Sequence, residues 1–521
     1  MAIMMRSRPR VHLISALTAA VLLLTGCSTP STTDSSNTAN TLVVATSGEP
    51  DTLNPVLGYG TDGASLIFDG LVARDGRNEL VPALAEQLPT VDATTVTAKL
   101  RPGVTFHDGS ALTAQDVVFT YRTVLDPKVD STLRSDLDMI DKVEAPDAST
   151  VVFTLKYAYA PFLQRLTLGI VPAKALDGQD VNKAAFNQKP IGTGPYKVTA
   201  WTPGDRLVLA ANDSYWGGKP SNSGVVVAFV PDDNVRAQRA RAGEFDAVEL
   251  APKLAAGFPK AVKVPTGDYR GVMLPMKNPV TGDVAIRQAL NAAVDRAAMV
   301  AGVLGGAGEP AYGPIPPTSP YADPSITPAA DAATILDGAG WTAGADGVRA
   351  KNGQKAAFTL MYPATDSLRK ELALAVTADA KKIGIEVTPE GLTWDAITPR
   401  MKNDALIMGW GTPYDPDFIS YKLFSSQFAE QGYFNPGSYQ SAVVDKALQD
   451  GRSVTGSEQR LAAYTSFQKQ LATDVPWVFL TYLQHTYVVA DGIAGVTPRV
   501  EPHEHDVANS LWWNINTWTR T

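Results

Sequence analysis

Cysteine is almost absent: the 521-residue chain has one, Cys27. No internal disulfide can form, so a chain of this length must be held together by core burial. Histidine is scarce as well, with five in all, and a nucleophile–base pair has little to be built from. No Gly-x-Ser-x-Gly elbow, phosphate-binding glycine loop or zinc-protease helix motif occurs, so neither enzyme chemistry nor a bound cofactor is expected. No cluster of Lys and Arg appears. The first 26 residues hold three of the 45 basic residues and none of the 53 acidic ones, so the remainder carries 42 against 53, a formal charge of about −11. That balance argues against a nucleic-acid partner. After residue 24, no apolar run approaches the ~20 residues of a membrane span.

What is present begins at the N-terminus. Arg6, Arg8 and Arg10 form a basic segment, and Val11 to Leu24 is apolar with Ala and Thr interspersed. This is the length of a signal-peptide core and too short for a stable spanning helix. Leu24-Thr25-Gly26-Cys27 follows and resembles the bacterial lipobox, in which the cysteine thiol accepts a diacylglyceryl group. Residues 1–26 are therefore expected to be a signal peptide and Cys27 a lipidation site. The Ser/Thr/Asn-rich stretch 27–41 cannot bury enough apolar surface to fold and reads as a flexible tether. The expected location is the outer face of the cytoplasmic membrane or the periplasm, with lipid touched only through the anchor.

Beyond the tether, strands and helices intermix. Thr41–Thr46 reads as a buried strand, and a helix is expected around Ala64–Leu71. Thr95–Leu100 and Thr150–Lys156 alternate as strands do. Leu112-Thr113-Ala114-Gln115-Asp116 has a Thr followed three residues later by Asp, close to a capping box, and opens a helix to Val124. A single helix is expected over Asp283–Val300, others over Ser367–Ile383, Val443–Asp450 and Gln459–Asp474. Leu406–Trp410 reads as a strand, as do Trp477–Thr481 and Tyr487–Val489. The absence of strict βαβ alternation points to several mixed α/β lobes rather than one doubly wound sheet.

Segments in a fixed order carry a family likeness. Early ones include Asp51-Thr52-Leu53-Asn54-Pro55, Arg101-Pro102-Gly103-Val104-Thr105-Phe106-His107-Asp108-Gly109 and Ile191-Gly192-Thr193-Gly194-Pro195-Tyr196. Later ones are Asn212-Asp213-Ser214-Tyr215-Trp216-Gly217-Gly218-Lys219-Pro220, Val284–Arg296 and Ala339-Gly340-Trp341. From about Leu42 to Val496 the chain resembles the peptide/nickel-type solute-binding proteins of ABC importers. Trp410-Gly411-Thr412-Pro413-Tyr414-Asp415-Pro416 and Tyr159-Ala160-Pro161-Phe162-Leu163-Gln164 look most like the nickel-binding branch.

The resemblance implies an α/β, two-lobe periplasmic-binding-protein fold of type II, cluster C, with an inserted third subdomain. Lobe I would comprise 42–58, 191–270 and 482–521, the inserted subdomain 59–190, and lobe II 271–481. It implies a monomer that closes over a small solute, a short peptide or peptide-like compound, and presents it to permease subunits. A metal-chelate binder is the alternative, and a non-transport regulatory lipoprotein of the same fold a second one.

For the site, the resemblance places the segment after the strand ending near Trp410 at the cleft between the lobes. Trp410 and Tyr414, four residues apart across Gly411 and Thr412, offer an aromatic wall and a phenolic donor. Asp415 is a candidate partner for a ligand amine, with a turn-forming role as its bland alternative. Tyr59, in Gly58-Tyr59-Gly60, is a cleft candidate or an exposed loop tip. The nickel branch uses two arginines and a tryptophan where this chain has Asp130, Leu133 and Ile170, and a distal histidine where it has Phe428. Arg134 is one step away and is the candidate replacement. Arg to Asp reverses the charge, which disfavours a polyanionic chelate. His503-Glu504-His505-Asp506 reads as a solvated loop rather than a metal site, His107 as structural and His485 as isolated.

Overall fold

The computed structural model describes residues 40–63, 65–327, 331–503 and 510–521. Cys27, the signal segment and nearly all of the tether lie outside the described residues, as do Glu504, His505 and Asp506. No helix among the described residues is long and apolar enough to cross a membrane.

The fold is mixed α/β and has two lobes joined by one 11-stranded sheet. Its order runs Glu386–Leu392, Ala357–Pro363, Ala405–Trp410, Ala261–Met273, Trp477–Val489, Ala247–Glu249, Thr41–Thr46, Gly224–Phe229, Arg206–Ala211, Tyr196–Thr202, with Gly308–Pro310 pairing to Trp477–Val489 off this path. The lobe II end is apolar on both faces, and successive residues alternate between two cores. Val272, Ile407, Leu360 and Val478 enter one, with helices Val284–Ala293 and Ser367–Lys382. Met273, Leu406, Met408, Met361 and Phe479 enter the other, with helices Asp417–Phe424, Ala442–Ser453 and Ser457–Asp474. Burial on both faces is why Ala-Leu-Ile-Met reads as a continuous apolar run rather than an alternating one. The 59–190 segment carries its own four-stranded sheet, in the order Thr90–Asp92, Thr95–Lys99, Thr150–Leu155, Ile140–Glu144. Helix Ala114–Leu125, capped by the expected Thr113–Asp116 box, packs on it.

Three expectations about elements need correction. Residues 65–71 are not helical. The chain there is buried and gives its backbone away, the carbonyls of Leu66 and Ile67 accepting from Tyr196 and Gly194. The helix over 283–300 is two helices, Val284–Ala293 and Arg296–Gly302. Val294 is extended between them, because Asp295 caps a new helix by accepting from the amide of Ala298. The strands near 477–481 and 487–489 are one 13-residue strand, Trp477–Val489. Its partner Ala261–Met273, also 13 residues, had no signal strong enough to be read as a strand.

Candidate functional site

The long pair Ala261–Met273 and Trp477–Val489 lies in the middle of the sheet, and its register shifts between Pro265 and Tyr269. The shift is pinned by polar groups. The Thr266 hydroxyl donates to the carbonyl of Leu483 (2.8 Å) and accepts from the amide of Asp268 (2.9 Å). The amide of Gly267 donates to the carbonyl of Glu501 (2.7 Å). Such a bulge bends a strand locally. The segment after Trp410 presses on it: a Cβ on Gly411, whose φ is +145°, would lie 1.8 Å from the Gly267 carbonyl oxygen. Only glycine fits at 411, so this site candidate has a backbone reason to be what it is.

Two histidine–carboxylate pairs flank the bulge, one buried on both sides and one with a partly exposed histidine. His485 Nδ1 lies 2.5 Å from Glu501, which also accepts from the Tyr487 hydroxyl (2.8 Å). Burial alone would lower the His485 pKa, but the hydrogen bond and charge of Glu501 outweigh it and raise it to about 9. His503 Nδ1 lies 2.7 Å from the fully buried Asp268, and its ring packs 6.0 Å from that of Trp410. Both findings correct the sequence reading. His485 is not isolated, and His503 is fixed against the bulge rather than solvated. His107 is structural as expected, its ring nitrogens held by the Gly194 carbonyl (3.0 Å) and the Gly192 amide (3.2 Å).

Between the 59–190 segment and lobe II lies a cavity of about 450 Å³. Tyr157, Tyr159, Asp136 and Arg165 wall it on one side; Asp417, Phe418, Tyr421, Lys422, Phe428 and Arg452 wall it on the other. Its charges balance: Asp136, Asp138 and Asp417 against Arg165, Lys422 and Arg452. The two walls also touch. The Tyr159 hydroxyl donates to Asp417 (2.7 Å), Lys422 pairs with Asp136, and the amide of Ala160 donates to the carbonyl of Arg452 (2.8 Å).

Three guanidinium groups stack on three lobe II aromatics spaced four and three residues apart. Arg74 lies 3.6 Å from the Tyr414 ring centre, Arg165 3.5 Å from Phe418 and Arg452 3.6 Å from Tyr421. Arg165 also sits 3.8 Å from both Asp62 and Asp136. Burial opposes its charge, but the neighbouring acids, Asp136 foremost, prevail and raise its pKa. Asp62 and Asp417 shift the other way for carboxylates: burial raises both in spite of their arginine neighbours.

None of the seven ligand candidates lines the cavity, though all lie in segments that carry its walls or the bulge. Tyr59 is buried and packs edge-on against Phe68, 6.4 Å between ring centres. Arg134 turns back to donate to the backbone carbonyls of Asp126 (3.0 Å) and Val129, while its neighbours Ser135 and Asp136 reach the cavity. The Thr412 hydroxyl accepts from the amide of Tyr414 (3.2 Å), and Tyr414 lies under Arg74. Asp415 is held inside lobe II by Arg460, whose Nη2 is 2.8 Å from both carboxylate oxygens. Trp410 packs 6.4 Å from Phe434, and its Nε1 is buried with no hydrogen-bond partner among the described residues. Sequence reasoning missed Arg165, Asp136, Lys422 and Arg452. One signal was available for the lobe II wall, the Tyr414, Phe418, Tyr421 spacing.

Comparison with known proteins agrees with this architecture. The model for bacterial extracellular solute-binding proteins, family 5, matches residues 79–431. Protein XP55 of Streptomyces lividans is 48% identical over 490 residues, spanning 92% of this chain and 90% of XP55. The oligopeptide-binding protein AppA of Bacillus subtilis is 31% identical across 98% of this chain and 99% of its own. The AppA structure in complex with a nonapeptide matches with a TM-score of 0.76 at 30% identity, over 92% of this chain and 98% of that one. NikZ from Campylobacter jejuni, in complex with Ni(L-His), matches with a TM-score of 0.81 at 28% identity, over 92% and 99%.

Proposed function

The chain belongs to the bacterial extracellular solute-binding proteins, family 5, and from that premise we propose that it captures a short peptide or peptide-like compound for an ABC importer. The observation that carries this is the cavity of about 450 Å³ bounded by opposite walls whose polar contacts join only when the walls meet. A solute held there is removed from solvent on both sides. The hinge we propose is the register shift at Thr266–Asp268, where the ladder between the two long strands is interrupted and resumes on either side. Opening about it would separate Arg74 from Tyr414 and uncover the aromatic face of the Trp410–Tyr414 segment. Trp410 Nε1 then supplies a donor aimed at a solute carbonyl.

The remaining site candidates take supporting roles in this reading. Gly411 and Thr412 shape the approach of that segment to the hinge, and Asp415 anchors it through Arg460. We propose further that the chain acts as a monomer, anchored through a lipid on Cys27 after removal of residues 1–26, and delivers its cargo to permease subunits.

A metal chelate is the second reading, favoured by the Trp410-Gly411-Thr412-Pro413-Tyr414 segment and by the likeness to NikZ. Native mass spectrometry of the purified protein, followed by calorimetry with di- to tetrapeptides and with a nickel–histidine complex, separates the two. Peptide binding that weakens at least about tenfold in Trp410→Ala, with the far-UV spectrum unchanged, is the expected result. Binding of the nickel complex alone would replace the peptide reading with the chelate one.

A further inference from the structure

The guanidinium of Arg452 sits in a box of three tyrosines. Its Cζ is 3.6 Å from the ring centre of Tyr421, 5.3 Å from Tyr159 and 5.9 Å from Tyr157. The rings of Tyr157 and Tyr159 stand nearly perpendicular, at 86°, so they form two adjoining walls. Asp417, 97% buried, closes the box with its Oδ1 3.3 Å from Arg452 Nε. Several aromatic faces within about 6 Å of a cation, with a desolvated carboxylate beside them, form the chemistry that recognises organic cations. The grip on Arg452 is electrostatic rather than geometrically fitted. Its Nη2 donates to Asp417 Oδ2 at a long 3.5 Å, while neither its Nε nor Asp417 Oδ1 makes a hydrogen bond among the described residues, unlike a bidentate pair.

All five residues also line the 450 Å³ cavity, and they come from both of its walls. Arg452 is the penultimate residue of helix Ala442–Ser453, so its head group can leave the box with little movement of the chain. Its backbone carbonyl is already fixed by Ala160.

We infer that the Tyr157–Tyr159–Tyr421–Asp417 box is an organic-cation subsite of the cleft, that Arg452 fills it as a tethered surrogate, and that a solute bearing a guanidinium or ammonium group enters by displacing that head group. Exchange of one cation for another keeps Asp417 paired. A neutral or anionic group in the box would leave the buried Asp417 with only the Tyr159 hydroxyl and the charge of Arg165 to offset it, so the box favours positive charge. The tethered cation competes at the millimolar effective concentration typical of intramolecular groups, and this sets a threshold that weak cations do not pass. As a statement about cargo, the inference rests on the reading of this cleft as the solute site; as a statement about the box, it stands alone.

The test uses the protein with Arg452→Ala, and methylguanidinium as the probe against neutral methylurea. Calorimetry and thermal melting should show methylguanidinium binding the variant at least about tenfold more tightly than the unsubstituted protein, with no response to methylurea. Adding Tyr421→Ala should abolish the gain. A folded variant that ignores methylguanidinium, or that responds equally to methylurea, overturns the proposal. Arg452→Gln, which keeps much of the packing on Tyr421 while removing the charge, gives the same reading should the alanine variant not fold. If methylguanidinium binds the variant but no peptide binds the unsubstituted protein, the transport reading fails and the box stands. If peptides bind and methylguanidinium does not, the reverse holds.

Discussion

Asp415 and Asp417 stand on either side of Pro416, equally buried, and do different things. Asp415 has every partner inside lobe II: Arg460 at 2.8 Å to both oxygens and Tyr464 at 3.4 Å. Asp417 draws one partner, Tyr159, from across the cavity, and keeps one oxygen without a hydrogen bond among the described residues. A buried carboxylate that is complete within its own lobe reports folding. One that is completed from the opposite wall reports closure. Sequence spacing cannot tell the two apart, because a two-residue step across a proline turns the side chains to different surfaces.

The contrast can be broken first at Asp415. Asp415→Ala leaves Arg460 buried and unpaired, and should cost about 3–5 kcal/mol in urea-induced unfolding, with or without solute present. A loss under about 1 kcal/mol would remove the structural role given to this pair.

The strand bulge supplies the next effect. The folded-state pKa of His485 is raised from 6.5 to about 9, so its pairing with Glu501 contributes fully below pH 6.5 and is lost as pH rises through about 9. Stability should therefore fall by on the order of 3 kcal/mol across that window, and His485→Gln should flatten the profile. A melting temperature that is level from pH 6.5 to 9 would count against a charged pair beside the bulge.

Asp417→Asn should cost less in stability than Asp415→Ala, about 1–2 kcal/mol. It should change solute affinity and shift small-angle scattering towards a more extended particle, whereas Asp415 variants that remain folded should leave both unaltered. Tyr159→Phe removes a single hydrogen bond and should cost about 1 kcal/mol, again with its clearer signature in closure than in unfolding. Equal effects of Asp415 and Asp417 variants on closure would erase the distinction.

Much of the lobe II frame was legible from residue pattern. The run from Leu406 to Trp410, the helix from Ser367 and the Thr113–Asp116 cap appear where local chemistry puts them. The errors have a common cause. Residues 65–71 look helical in isolation but spend their backbone hydrogen bonds on the Gly194–Tyr196 segment. The strand Ala261–Met273 contains Pro265, Gly267 and Gly271, which weaken any strand signal, yet its partner Trp477–Val489 holds it in place.

The sequence by itself determined the family of this protein, through an ordered set of segments between Leu42 and Val496 that resemble one family. The glycine at 411 is not a local requirement: the carbonyl of Gly267, far away in sequence, leaves no room for a side chain there. Which side chains face the cavity was decided only by tertiary structure. Arg165 and Arg452 are about 290 residues apart in sequence and reach one cavity because the chain folds back so that Tyr159 and Ala160 meet Asp417 and Arg452. Charge pairing across a closed interface depends on where the chain folds back, and no local pattern records it.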